Sequence, residues 1–346
     1  MKRWLLRGLI VIAPIVGLLS LAELFVRWQY ADELVTVLLQ PEAGEAYFGA
    51  RMLESVEEDG VRYAGRPGAR VTVFEVEYRH DDLGLRSGPD SPDWKAGKPE
   101  GTTRIIVLGD SNAYGWRVAA EQTFAHRLAA DLNRVEVALL AYPGYNTADQ
   151  AALLERLAPI LEPDLILVAW YMNDMERLGF HVAADNSLFA DPLPMPDAWK
   201  PTLWRSLFYQ WLSFRTVTRM KETGDYVPGQ GENREFAERE LLRIRDQARA
   251  LDVPLAVLDV PWLEPSTGTY LIEAQGHPGA KLSAWLASTC SREEIPHLDL
   301  LQAVIGEPAA AFWASIDPKD HHPNADAHRR FADAIAAFLQ DRELVR

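Results

Sequence analysis

The sequence predicts an α/β protein built on a parallel sheet with helices on both faces, and three observations carry that prediction. From about residue 103 to the C-terminal end, short apolar runs of strand length alternate with amphipathic segments of helix length, the pattern of strands joined by crossover helices. The 346 residues allow about two domains, or one α/β domain with additions, at roughly 150 residues per domain. Composition is that of a folded chain, with 48% hydrophobic and 25% charged residues, 22 glycines and 22 prolines. No repeat or low-complexity tract is visible, so disordered, collagen-like and coiled-coil readings are excluded.

The chain opens MKRWLLRGLIVIAPIVGLLSLAELFVRW, with Lys2, Arg3 and Arg7 ahead of an uncharged run from Gly8 to Ala22. Positive charge leading an apolar run marks a membrane-targeting segment, and the remainder of the chain is expected on the extracytoplasmic side. The run is shorter than the ~20 residues that cross a bilayer. Leu24–Val26 extend it past Glu23, so a tilted single-pass anchor is the expectation for residues 1–30. Ser20-Leu21-Ala22 also fits a small-x-small cleavage site, and cleavage there would release a secreted protein.

Residues 31–102 read as an N-terminal extension packed on the core. Within them Val71–Tyr78 alternates as a strand or hairpin, and the Pro- and Gly-rich stretches Gly88–Pro92 and Lys95–Gly101 mark a boundary. The main domain is expected over 103–346. Its strands are predicted at Arg104–Leu108, Val135–Leu139, Leu165–Trp170, Leu255–Val260 and, more weakly, near His297–Leu300. Its helices are predicted at Phe124–Leu132, Thr147–Leu161, Arg234–Leu251, Gly279–Thr289 and Ala325–Leu339. Between about 179 and 232 the alternation lapses into an insertion rich in proline and aromatic residues. There Trp204–Met220 reads as an aromatic amphipathic helix that packs on the core, covers the site or faces a membrane.

Charge and cysteine narrow the chemistry. Lys and Arg number 35 against 50 Asp and Glu, a net charge of −15, which argues against nucleic acid as a partner because phosphate contacts need clustered cations. The one cysteine, Cys290, rules out an intrachain disulfide and any multi-cysteine zinc or iron-sulfur site. It reads as a small buried residue near the end of a helix. No Gly-rich dinucleotide or nucleotide-triphosphate loop is present.

The first strand of the main domain runs into Gly109-Asp110-Ser111-Asn112, where an open parallel sheet has its ligand crevice, beyond the carboxyl end of the strand. A serine hydroxyl there needs a base to take its proton. Asp317-Pro318-Lys319-Asp320-His321-His322-Pro323-Asn324 precedes the last helix and supplies one: His322 accepts the proton, with Asp320 or Asp317 orienting its ring. Asn324 is the expected N-cap of that helix. Oxyanion donors should come from the strand ends between, and Gly144, Asn173 and the backbone N–H of Ser111 are the candidates. His321, His322 and His328 invite a zinc reading, but His328 falls on the helix and no HExxH pattern exists.

Taken together, Val107–Asn112 (VLGDSN), the Gly144 block, Tyr171-Met172-Asn173-Asp174 and Asp320–His328 (DHHPNADAH) resemble, in order, the four blocks of the SGNH hydrolases, also called the GDSL esterase and lipase superfamily. The Tyr145-Asn146-Thr147 continuation and Asp81–Ser87 (DDLGLRS) look like membrane-anchored bacterial members. The resemblance spans Arg104–Leu339. It implies a three-layer α/β/α flavodoxin-like fold, Ser111 as nucleophile, Gly144 and Asn173 in the oxyanion hole and His322 as general base, with no metal or organic cofactor. The family often has its acid three residues before the histidine. Lys319 stands there in this chain, so Asp320 is the preferred acid and Asp317 the second. The expected activity is hydrolysis of a short O-acyl ester, acetyl foremost, on an envelope or exported glycan. Transfer of the acyl group to a sugar hydroxyl, lipid ester hydrolysis and a non-catalytic scaffold are the rivals, and oligomeric state is not legible.

Overall fold

The computed structural model describes residues 13–14, 16–29, 45–56, 61–89, 91–176, 180–182, 188–190, 192–196, 199–223, 232–263, 279–315 and 321–345. They fall into two compact units, Met1–Ala50 with Phe180–Val227 and Arg51–Gly179 with Pro228–Arg346.

The larger unit holds a five-stranded sheet of β1 (Thr103–Gly109), β2 (Val135–Ala141), β3 (Leu165–Trp170), β4 (Leu255–Asp259) and β5 (His297–Asp299). All neighbours pair in parallel and the spatial order is 2-1-3-4-5, the flavodoxin-like order. β3 and β4 are buried at every position because helices cover both faces, which is why these strands read as continuous apolar runs rather than alternating ones. The predicted strands and helices all appear, most with ends shifted by one to three residues. The core helices are α1 (Ser111–Tyr114), α2 (Phe124–Asp131), α3 (Thr147–Leu161), α4 (Glu232–Ala250), α5 (Ala280–Arg292) and α6 (Ala325–Asp341).

Right-handed crossovers place α3, α4 and α5 on one face and α2 and α6 on the other. Gln247 Nε2 of α4 donates to Ala151 O of α3 at 3.1 Å, and Arg292 of α5 pairs with Glu238 of α4 at 2.8 Å. Side chains cap the helices at their N-termini, Asn324 as expected. Asn146 and Asp149 form a capping box on α3, and Asn324 Oδ1 accepts from Asp326 N and Ala327 N to cap α6. Val71–Tyr78 resolves into a hairpin, Arg70–Val73 with Val76–Arg79. Its turn residues Phe74 and Glu75 both have positive φ, 54° and 63°, as a two-residue turn between right-twisted strands requires. Cys290 is buried in α5, and burial pushes its thiol up to about 12.

His328 lies on α6, wholly buried; its Nδ1 accepts from Phe124 N at 3.2 Å and its ring stacks on Phe124. Burial, with nearby cations, pulls its imidazolium down to about 3, against an ordinary value of about 6.5. The folded state therefore holds His328 neutral. The stability that depends on this is complete above pH 6.5 and is lost as pH falls towards 3. In urea titrations, His328→Asn, which keeps an acceptor near Nδ1, should lose stability less steeply than wild type between pH 6 and 4. The expected difference is about one proton, or roughly 1.4 kcal/mol per pH unit. Equal slopes would refute a neutral buried His328.

In the smaller unit, the described elements are the helix 16–29, residues 45–50 of the helix Glu45–Met52, a hairpin of Phe180–Val182 with Leu188–Ala190, and the helices Lys200–Leu203 and Leu207–Thr223. The last corresponds to the aromatic helix expected at Trp204–Met220. It starts later because Glu23 caps it there, accepting from Ser206 Oγ at 2.7 Å, Phe208 N at 2.9 Å and Leu207 N at 3.2 Å. The acid that interrupts the apolar run is thus a helix cap. The expected bilayer-crossing helix is not found: among the described residues no helix is long and apolar enough to cross a membrane. Residues 1–12, where the run begins, lie outside the described residues.

Candidate active site

The strand order reverses between β1 and β3, so the crossover helices leave those two strands on opposite faces and a crevice opens at their carboxyl ends. β1 delivers Ser111 to that point. Gly109 lets α1 turn back tightly, since a Cβ there would lie 2.5 Å from Ala113 Cβ. Asp110 then caps α1, its Oδ1 accepting from Asn112 N at 2.8 Å. Ser111, 9% exposed, is the first residue of the helix.

Ser111 Oγ lies 2.8 Å from His322 Nε2, across 211 residues of sequence. The backbone on both sides of His322 is tied down: Ala314 N donates to His322 O and Asn324 N to Phe312 O, both at 2.8 Å. The α6 cap at Asn324 continues that restraint. Trp116 lies beside the imidazole, ring centroids 6.4 Å apart. Asp320 and Asp317, the expected orienting acids, lie outside the described residues.

Asn173 follows β3 in the 3-10 turn Met172–Met175. Its Nδ2 donates to Asp110 Oδ2 at 2.8 Å, which leaves a second amide hydrogen for another acceptor. Gly144 lies three residues beyond Ala141, the partner of Gly109 in the sheet, and adopts φ 81°, a conformation that favours glycine. Its loop is held by Tyr63, whose hydroxyl donates to Pro143 O at 2.6 Å. Neither the Ser111 N–H nor the Gly144 N–H has a hydrogen-bond partner among the described residues.

Asp110 was not singled out from sequence, yet it ties the site together. Its carboxylate also accepts from Asn112 Nδ2 at 2.9 and 3.1 Å. Burial raises it above the ordinary aspartate range, while the Asn112 N–H, the nearby His322 and the Asn112 and Asn173 amides pull it back. Asp174, next to Asn173, is raised further by burial and by the Asp110 charge; it accepts from Tyr171 N at 2.7 Å and from Gln150 Nε2. A buried acid at the N-cap directly before the serine was the available signal for Asp110. Its reach to Asn173 had none.

A serine hydroxyl in contact with an imidazole nitrogen, at the switch point of a parallel sheet, is the arrangement of an α/β hydrolase with a serine nucleophile. Residues 107–330 match the GDSL-like lipase/acylhydrolase family, and the chain belongs to that family. It is an ester hydrolase of the SGNH type.

Similar solved structures include the psychrotrophic esterase EstA from Pseudoalteromonas sp., at 14% identity over 70% of this chain and 98% of that chain, TM-score 0.42. A member of the lipolytic G-D-S-L family from Veillonella parvula matches at 13% identity over 68% and 97%, TM-score 0.41. A GDSL-like lipase from Bacteroides thetaiotaomicron matches at 10% over 71% and 92%, TM-score 0.40. No curated protein matches the chain.

Proposed function

We propose that the chain removes short O-acyl groups, acetyl foremost, from a cell-envelope or exported glycan on the extracytoplasmic side of the membrane, through an acyl-enzyme on Ser111. The observation that carries the mechanism is the 2.8 Å contact between Ser111 Oγ and His322 Nε2. His322 takes the hydroxyl proton as Oγ attacks the ester carbonyl, and the oxyanion is received by Ser111 N–H, Gly144 N–H and Asn173 Nδ2. His322 then protonates the departing alcohol and activates the water that releases the acid. Asp320 is the proposed orienting acid, with Asp317 as the alternative.

Location is supported by Lys2, Arg3 and Arg7 ahead of the apolar run and by the helix 16–29. Leu18, Leu21, Leu24 and Trp28 of that helix are 61–78% exposed and recur at helical spacing on one face, an exposed apolar stripe that suits lipid contact. The extracytoplasmic face is where envelope glycans carry ester substituents.

Hydrolysis of p-nitrophenyl esters from acetyl to palmitoyl, together with labelling by a fluorophosphonate, tests the reading. Highest kcat/KM on the acetyl ester and labelling that disappears in Ser111→Ala are expected. A preference for long acyl chains would overturn the glycan substrate in favour of a lipid one.

A further inference from the structure

Arg86 stands in Asp81–Ser87, ahead of the family match that begins at residue 107, and is buried at 3% exposure. No carboxylate pairs with it among the described residues. Nη1 donates to Tyr114 O and to Gly115 O at 2.6 Å, and Nη2 donates to Val118 O. Its Cζ lies 4.7 Å from the centroids of both the Tyr78 and Tyr114 rings. Carbonyl dipoles and aromatic faces answer a cation whose burial is otherwise costly.

The carbonyls that Arg86 holds belong to the turn leaving the nucleophile helix, and the N–H ends of two of those peptide units point at the backbone carbonyl of Ser111. Gly115 N and Trp116 N both donate to Ser111 O, at 3.1 and 3.0 Å. Each of the peptide units Tyr114–Gly115 and Gly115–Trp116 is therefore bonded by the guanidinium at its carbonyl and by Ser111 at its N–H. A cation at the far end of such a chain polarises and stiffens it. The same segment carries Trp116 against His322. Gly115 is what admits the guanidinium: its φ is +78°, and a Cβ there would lie 2.3 Å from Thr123 Cγ2 and 3.0 Å from Arg86 Nη1. The Tyr78 hydroxyl secures the next residue, accepting from Arg117 N at 2.7 Å.

We propose that Arg86 is a positioning residue for ester hydrolysis: through two peptide units it sets the backbone of Ser111 and holds Trp116 beside His322. This rests on the reading of Ser111 and His322 as the catalytic pair. It assigns the extension before the family domain a part in turnover. Lysine cannot replace the fork, because its three donors radiate from one atom and do not span Tyr114, Gly115 and Val118 together.

In the full chain, Arg86→Lys is expected to keep its fold and its KM within about twofold, while kcat on a short acyl ester falls about 10- to 100-fold, the scale of loss for a displaced reacting group. Fluorophosphonate labelling of Ser111 should slow in parallel. Tyr78→Phe keeps the ring and the guanidinium but loses the bond to Arg117 N, and should lower kcat several-fold at unchanged KM. A folded Arg86→Lys with wild-type kcat overturns the proposal. If Arg86→Lys does not fold, Tyr78→Phe decides: a lower Tm with unchanged kcat marks a purely structural role. Ser111→Ala run alongside separates the two readings. Activity surviving there refutes the nucleophile, whereas activity lost there but retained in Arg86→Lys refutes only the role of Arg86.

Discussion

Ser111→Ala and His322→Ala are each expected to lower kcat on a short acyl ester by roughly 10⁴- to 10⁶-fold, with KM changed only a few-fold. The hydroxyl is worth little as a nucleophile unless the imidazole takes its proton, and the imidazole has nothing to activate without the hydroxyl. The double variant should accordingly be no slower than the worse single one, since the 2.8 Å pair acts as a unit. Residual rate above the uncatalysed reaction should persist, supplied by the oxyanion donors alone. Single-turnover kinetics on purified variants, with Tm recorded beside them, checks this. Additive losses, or a His322→Ala variant within tenfold of wild type, would remove His322 from the role of base.

Asp110→Asn is the second large effect. Four N–H···O contacts converge on this carboxylate, from Asn112 N, twice from Asn112 Nδ2, and from Asn173 Nδ2. An amide of the same shape offers one acceptor and sets its own NH₂ against those donors, so Asn173 loses the partner that holds it for its proposed role in the oxyanion hole. Losing one such donor costs about 10²- to 10³-fold in kcat. We expect a kcat loss of that size with KM preserved in both Asp110→Asn and Asn173→Ala, and little further loss when they are combined. Full activity in Asp110→Asn, or additive losses, would show that Asn173 is oriented by something else.

Much of this fold is legible in the sequence alone, because its signals are short-range. Apolar runs of five to seven residues bounded by turn residues marked β1 to β4, the 3.6-residue period marked α2 to α6, and single residues such as Asn324 marked where helices begin. Ser111 and His322 were readable for a related reason. In an open parallel sheet a strand end is a functional position, and both occupy the segment joining a core strand to the next helix.

What remained hidden was long-range pairing. Glu23 read as a flaw in an apolar run, and only the folded chain shows it capping a helix more than 180 residues away. Asp110 meets Asn173 across 63 residues, and Arg86 reaches Tyr114 across 28. Local sequence determined which segments are strands and helices, and which ends carry a hydroxyl, an imidazole or an amide, because propensity and periodicity act over a few residues. The strand order 2-1-3-4-5 decided which of those ends meet. By seating β3 against β1 it brought Asn173 to Asp110 beside Ser111, and no local pattern encodes that adjacency, since it depends on how the whole sheet closes its apolar faces.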